Sequence, residues 1–369
     1  MTGYVVAMAT LLGGIVKRNS KMVSGLMLLA MWLLMGFNSH NADYAAYQAM
    51  YNFTMTRAGS GIPIGYWILI CASRTIGLDF VAFRAICCGI GLLNIYLLVS
   101  RYTRDGAFVL AAYMICPFFY DIVQFRFFFA SSIAIVGTIF LIEGKRTLKL
   151  LFAVFVLVAS TIHPACTFFL VFYITCLTER RAALASCVVA LGILMATYTG
   201  LTASLASLVM DDVKASLYLS SMRRLGFLPY WGSIFLSALF VTGTMRSGIH
   251  ERDSEGRALL HGNTDDSIDV RVLMFDEFAR KAVYTMLPLG AILPLSVQNF
   301  YRPIRSSLII INIYCSNVFY GSERQHVSAT ARELLFVIYW VWLALTAYTL
   351  FYDIWDVVII TELESNLLW

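Results

Sequence analysis

Phe80-Val-Ala-Phe-Arg84-Ala-Ile-Cys-Cys-Gly-Ile-Gly-Leu-Leu-Asn-Ile-Tyr-Leu-Leu-Val-Ser100 decides the fold of this chain. An apolar helix of roughly 20 residues spans the ~30 Å hydrocarbon core of a bilayer. The run is closed by Arg101 and Arg104, as a membrane-spanning helix is closed by a basic connection. Barrel strands would instead read as short segments of alternating polarity.

Runs of the same kind recur on both sides of it. They read as spans at 3–16, 22–37, 80–100, 107–121, 124–142, 147–162, 165–178, 182–199, 229–246, 282–298, 306–321 and 333–352. The expectation is an all-α, polytopic transmembrane helix bundle of about 12 spans, forming one integral membrane domain over 1–369. Composition agrees, with 60% hydrophobic and 13% charged residues, against about 25% charged in a soluble domain. The stretch Tyr4 to Val16 has no basic segment before it and reads as the first span, not as a cleavable signal peptide.

Several classes are excluded. The 8 cysteines sit in apolar runs without metal-type spacing and read as small core residues. The net charge of +5 lies in short loops and calls for no nucleic-acid partner. There is no glycine-rich phosphate loop, which argues against a nucleotide-driven pump.

The basic connections set the orientation. Lys17, Arg18 and Lys21, then Arg101 and Arg104, then Lys145, Arg146 and Lys149, then Arg180 and Arg181, and finally Arg246 make every second connection basic. The basic set is expected in the cytoplasm. The N-terminus and the acidic tail with Glu362 and Glu364 then lie outside. Parity requires that 61–78 does not cross, so the outer loop 38–78 is expected to carry a re-entrant or interfacial helix. The loop 247–280 is expected on the cytoplasmic side, solvated, with some helix near 270–280.

This threading brings Asp43, Arg84, Asp121, Gln124, Arg126, His163, Arg302 and Arg305 to one face. Charges beside hydrocarbon are costly unless paired or functional. Gln124-Phe-Arg126 opens a span, where a guanidinium fork and free helix N–H groups suit a phosphate; a snorkelling arginine is the plain alternative. Thr161-Ile-His163-Pro-Ala165 places an imidazole at a helix end, able to accept a proton from a sugar hydroxyl, to donate to a diphosphate, or to serve only the turn. Asn41-Ala-Asp43-Tyr44-Ala-Ala-Tyr47 offers a carboxylate with two aromatic rings, suited to a sugar or to an interfacial aromatic belt. Asp265, Asp266 and Asp269 resemble metal ligands but fall in the cytoplasmic loop, and Asp211-Asp212 is a weak candidate. Chemistry without a metal or other cofactor is expected.

The order Asn41-x-Asp43-Tyr44-x-x-Tyr47, Phe83-Arg84, Gln124-x-Arg126, Ile162-His163-Pro-Ala165, Tyr301-Arg302 resembles the EpsG-type branch of the Wzy polysaccharide polymerases, over about residues 35–310. The chain departs from the family at Gly61-Ile-Pro-Ile-Gly65-Tyr66, which lacks an acid usual there, and at Phe127, where the family often has Gln. The resemblance implies a fold like the C-type glycosyltransferases, in a bacterial inner membrane, with the active site facing the periplasm or exterior. It implies a donor chain and an acceptor repeat unit, both on undecaprenyl diphosphate, with a flippase and a chain-length regulator as partners. Arg126, with Arg302 or Arg84, would hold the donor diphosphate. His163 would act as base or as diphosphate donor, and Asp43 as rival base or as a holder of the acceptor sugar. Tyr44, Tyr47, Asp121, Gln124 and Arg305 would complete substrate binding. An O-antigen ligase or other lipid-linked-sugar glycosyltransferase shares the donor chemistry. A lipid-linked-sugar transporter would want polar groups at mid-membrane and two related halves, and neither is visible.

Overall fold

The computed structural model describes residues 2–53, 61–144, 147–201, 230, 232, 267–294, 296, 300–320, 329–352 and 355–368. Among the described residues it is helical almost throughout, and the one isolated bridge pairs Asn38 with Asn366. Among the described residues five helical segments are long and apolar enough to cross a membrane: Phe80–Tyr102, Gly106–Val123, Phe125–Ile142, Glu179–Tyr198 and Glu333–Phe351. Four shorter apolar helices, Thr2–Val16, Lys21–Gly36, Lys149–Ile162 and Pro164–Cys176, accompany them. The expected span 229–246 lies almost wholly outside the described residues, as do the start of the loop 247–280 and Asp211, Asp212, Asp265 and Asp266.

The chain divides into two compact units, Met1–Thr167 with Leu350–Trp369, and Phe168–Thr349. In the first, α1 (Thr2–Val16) and α2 (Lys21–Gly36) pack on each other, and both pack on α6 (Gly106–Tyr113). Ser20 caps α2, its hydroxyl accepting from the Val23 N–H at 3.3 Å. Two short helices follow, α3 (Tyr44–Phe53) and α4 (Ile64–Thr75), in the region expected to hold a single re-entrant helix. α5 (Phe80–Tyr102) begins at the Asp79 cap. Its buried positions Phe83, Arg84, Cys87, Cys88, Gly91, Leu92, Ile95, Leu98 and Val99 recur at helical spacing. The opposite side exposes Ile86, Ile90, Leu93 and Leu97. An exposed apolar stripe of this kind is what a bilayer covers.

A π-helical turn at Met114–Phe118, kinked at Cys116 and Pro117, joins α6 to α7 (Phe119–Val123). Gln124 then separates α7 from α8 (Phe125–Gly137), which packs on α5 and on α10 (Lys149–Ile162); α9 (Ile139–Ile142) lies between α8 and α10 in the chain. His163 ends α10. The 13 residues Pro164–Cys176 form a 3-10 helix, whose rise of about 2.0 Å per residue carries a short segment further than an α-helix would.

The two ends of this first unit differ in chemistry. At one end Arg18 pairs with Asp105 at 3.0 Å, and Arg101 pairs with Glu143. The connections read as cytoplasmic therefore gather there. The other end holds the start of α5, the α7–α8 junction, His163 and the C-terminal turn α15 (Thr361–Glu364).

In the second unit, α11 (Glu179–Tyr198) packs on α12 (Ser267–Ala291), and α12 on α13 (Arg302–Tyr320); α14 (Ala329–Phe351) follows. α12 starts 15 residues before the expected span at 282 and takes in the helix expected near 270–280, because Phe275, Phe278, Ala279, Ala282, Val283 and Met286 form one continuous buried helical stripe.

Candidate functional site

The site builds from two arginines on neighbouring helices. Arg84, one turn into α5, is 1% exposed. Its guanidinium donates to the Asn38 carbonyl and, at 3.4 Å, to the Ile122 carbonyl. It lies over the rings of Tyr44 and Phe125, at 5.4 and 5.6 Å from their centroids. Arg126, in the first turn of α8, lies over Tyr47 and Tyr66, at 5.7 and 5.2 Å. Phe125 stacks edge-on against Tyr47 at 4.7 Å, joining the two groups into one aromatic row. Aromatic faces stabilise a desolvated cation by about 2 kcal/mol without neutralising it. Among the described residues no carboxylate forms an ion pair with either arginine, and the Nε of each is buried without a hydrogen-bond partner.

α4 places Tyr66 through a close helix contact. A side chain at Gly65 would meet the Thr161 hydroxyl and lie 2.9 Å from the Thr161 backbone carbon. The same approach fixes α10 near its end, where His163 is buried and packs edge-on against Phe127 at 5.1 Å. The Ala165 N–H donates to His163 Nδ1 at 3.3 Å. A neutral ring bonded in this way carries its proton on Nε2, which then donates.

The sequence-predicted residues of the first unit are thus brought together: Asp43, Tyr44, Tyr47, Arg84, Asp121, Gln124, Arg126 and His163 all lie at its one end. Asp43 is half-buried where α3 begins, its carbonyl accepting from the Tyr47 N–H at 3.0 Å. Gln124 is buried at the α7–α8 junction. Asp121 is buried and accepts from the Tyr113 hydroxyl at 2.7 Å. Arg302 and Arg305 open α13 in the second unit; Arg305 is buried there, near Tyr301, whose ring meets Tyr230 at 4.9 Å.

Sequence reasoning missed four contributors. Phe125 and Tyr66 supply ring faces, and their motifs, Gln124-Phe-Arg126 and Gly65-Tyr66, carried the signal. Asn38 supplies a carbonyl, which no residue type reveals. Glu362 lies in electrostatic reach of Arg84 and Asp121, 278 positions from Arg84, and nothing local marks it.

Fold and site together define a helical membrane protein with a buried, aromatic-lined cationic cluster at one end of its first unit. The EpsG family model matches residues 21–339, and the chain belongs to the EpsG family. No curated protein and no solved structure matches it.

Proposed function

We propose that this protein is a polysaccharide polymerase, a glycosyltransferase that joins undecaprenyl-diphosphate-linked oligosaccharide repeat units at the outer face of a bacterial inner membrane. The observation that carries this reading is the pair Arg84, buried, and Arg126, half-buried with a buried Nε, both laid on aromatic faces with no carboxylate ion-paired to either among the described residues. Such a cluster suits an anion at a membrane surface, and family membership supplies the sugar chemistry.

In the proposed reaction a hydroxyl oxygen of the acceptor sugar bonds to the anomeric carbon of the donor chain. The bond from that carbon to the diphosphate oxygen breaks, and lipid diphosphate leaves. Arg126 and Arg84 stabilise its developing charge, the largest electrostatic demand of the step. His163, with Nε2 as donor, fits the role of holding the diphosphate better than that of a base. Asp43 is then the candidate to take the hydroxyl proton, and Tyr44 and Tyr47 to bound the acceptor sugar. Asp121 and Gln124 are candidate substrate-binding groups of the same end, and Arg302 and Arg305 are candidate anion-binding groups of the second unit.

Deletion in the native host tests the function. Loss of long polymer, with single repeat units accumulating on undecaprenyl diphosphate, is the expected outcome. Long polymer retained on the carrier and missing from its final acceptor identifies a ligase. Repeat units trapped on the cytoplasmic face identify a flippase.

A further inference from the structure

We propose that Glu362 is a positioning residue of this site: delivered by the C-terminal segment, it sits as a neutral carboxylic acid beside Arg84 and Asp121 and leaves the Arg84 guanidinium unneutralised for an anionic ligand. The inference rests on the diphosphate reading above.

The segment that carries it, a π-helical turn at Asp356–Ile360 followed by α15, lies beyond the residues matched by the family. It is nonetheless built into the site end of the first unit. Asn366 bridges Asn38, and its side-chain amide donates to the Leu33 carbonyl at 3.0 Å. The Leu367 N–H donates to Phe37 O, and the Ser39 N–H to Ser365 O, each at 2.9 Å. The Asn38 amide donates to the Glu362 carbonyl at 3.4 Å. A side chain at Gly3 would lie 2.9 Å from the Leu363 backbone carbon, so α1 touches this turn directly. Asn38 is therefore held from both sides: its carbonyl serves Arg84 and its side chain serves the tail.

The Glu362 side chain is 0% exposed, and neither of its oxygens has a hydrogen-bond partner. A bare carboxylate in that state costs several kcal/mol, and such a group keeps its proton instead. Burial pushes the Glu362 carboxyl well above the usual range; Arg84 on α5 opposes this, and Asp121 on α7 adds to it. From α1, Tyr4 faces the same turn but donates to Glu364 at 3.1 Å. Were Glu362 ionised, it would compete with a ligand anion for Arg84. Neutral, it fills the space without cancelling the charge. The sign follows: raising the pH through the elevated pKa ionises Glu362 and weakens anion binding.

The test uses the full-length protein in detergent, the variants Glu362→Gln and Asn366→Ala, and farnesyl diphosphate as probe. The infrared carbonyl band of a protonated carboxyl is expected in the wild type at neutral pH and missing from Glu362→Gln. Asn366→Ala, which loosens the segment, is expected to lower the pH at which the band titrates. At neutral pH, Glu362→Gln binds the probe within about twofold of wild type; on raising the pH, the wild type loses about tenfold more affinity than the variant. A missing band, an unmoved titration in Asn366→Ala, or parallel pH curves overturn the role of Glu362 and leave the diphosphate reading standing. A band that behaves as expected, with probe binding indifferent to Arg126→Ala, overturns the diphosphate reading and this inference with it.

Discussion

Arg84 donates to the backbone carbonyl of Asn38, 46 positions earlier in the chain, and the same Asn38 pairs with Asn366 near the C-terminus. Three distant stretches thereby fix one buried guanidinium. Its own helix offers it the Cys88 thiol one turn on and no carboxylate, so position and charge are separately controlled.

Arg126→Lys keeps the charge and loses the flat face that lies on Tyr47 and Tyr66. Lysine cannot reproduce a bidentate, stacked guanidinium. The expected outcome is about tenfold weaker binding of farnesyl diphosphate for Lys and a larger loss for Ala, measured by titration of the purified protein. Equal binding by Lys and wild type contradicts the stacking role.

Gly65→Ala puts a methyl group against Thr161, where α4 and α10 meet. Overpacking of this kind costs about 1–3 kcal/mol, and Tyr66 and the end of α10 bearing His163 must both shift. Thermal unfolding in detergent should fall, and polymer length in cells should shorten. An unchanged melting temperature with normal polymer contradicts the close contact.

Tyr113→Phe removes the donor to the buried Asp121 carboxylate. A buried acceptor left short of a bond costs about 1–3 kcal/mol. The variant is expected to unfold earlier, with polymer production reduced in proportion to protein level.

Glu143→Gln, at the opposite end, removes the partner of Arg101. Both side chains are partly exposed, and such a pair contributes about 0–1 kcal/mol after solvent screening. Polymer yield and length should match wild type. A clear loss would mean that the two ends of the first unit are coupled in a way their contacts do not show.

Much of the site was legible because each motif is a polar interruption of an apolar run. Arg84 and Arg126 stand out against Phe83, Phe125 and Phe127, and His163 against Ile162 and Pro164, so span counting alone carries them to one end. Part of α12 was legible as the helix expected near 270–280, but the charges between Phe275, Phe278, Ala282 and Met286 hid that it runs on without a break into the span read from 282. The rest was hidden for physical reasons. A backbone acceptor such as Asn38 O depends on chain path rather than on side-chain type. Glu362 reads as part of an acidic tail on the outer side, since burial of a carboxyl beside Arg84 and Asp121, far away in the chain, leaves no local pattern. The 3-10 path of Pro164–Cys176 has the composition of any apolar helix.

The most direct test of the polymerase reading is complementation of a deletion strain by Arg126→Ala, with membrane insertion checked by immunoblot and the lipid-linked pool extracted. The expected result is full-length protein at the wild-type level, no long polymer, and single repeat units held on undecaprenyl diphosphate. Polymer of normal length at a normal protein level would contradict it.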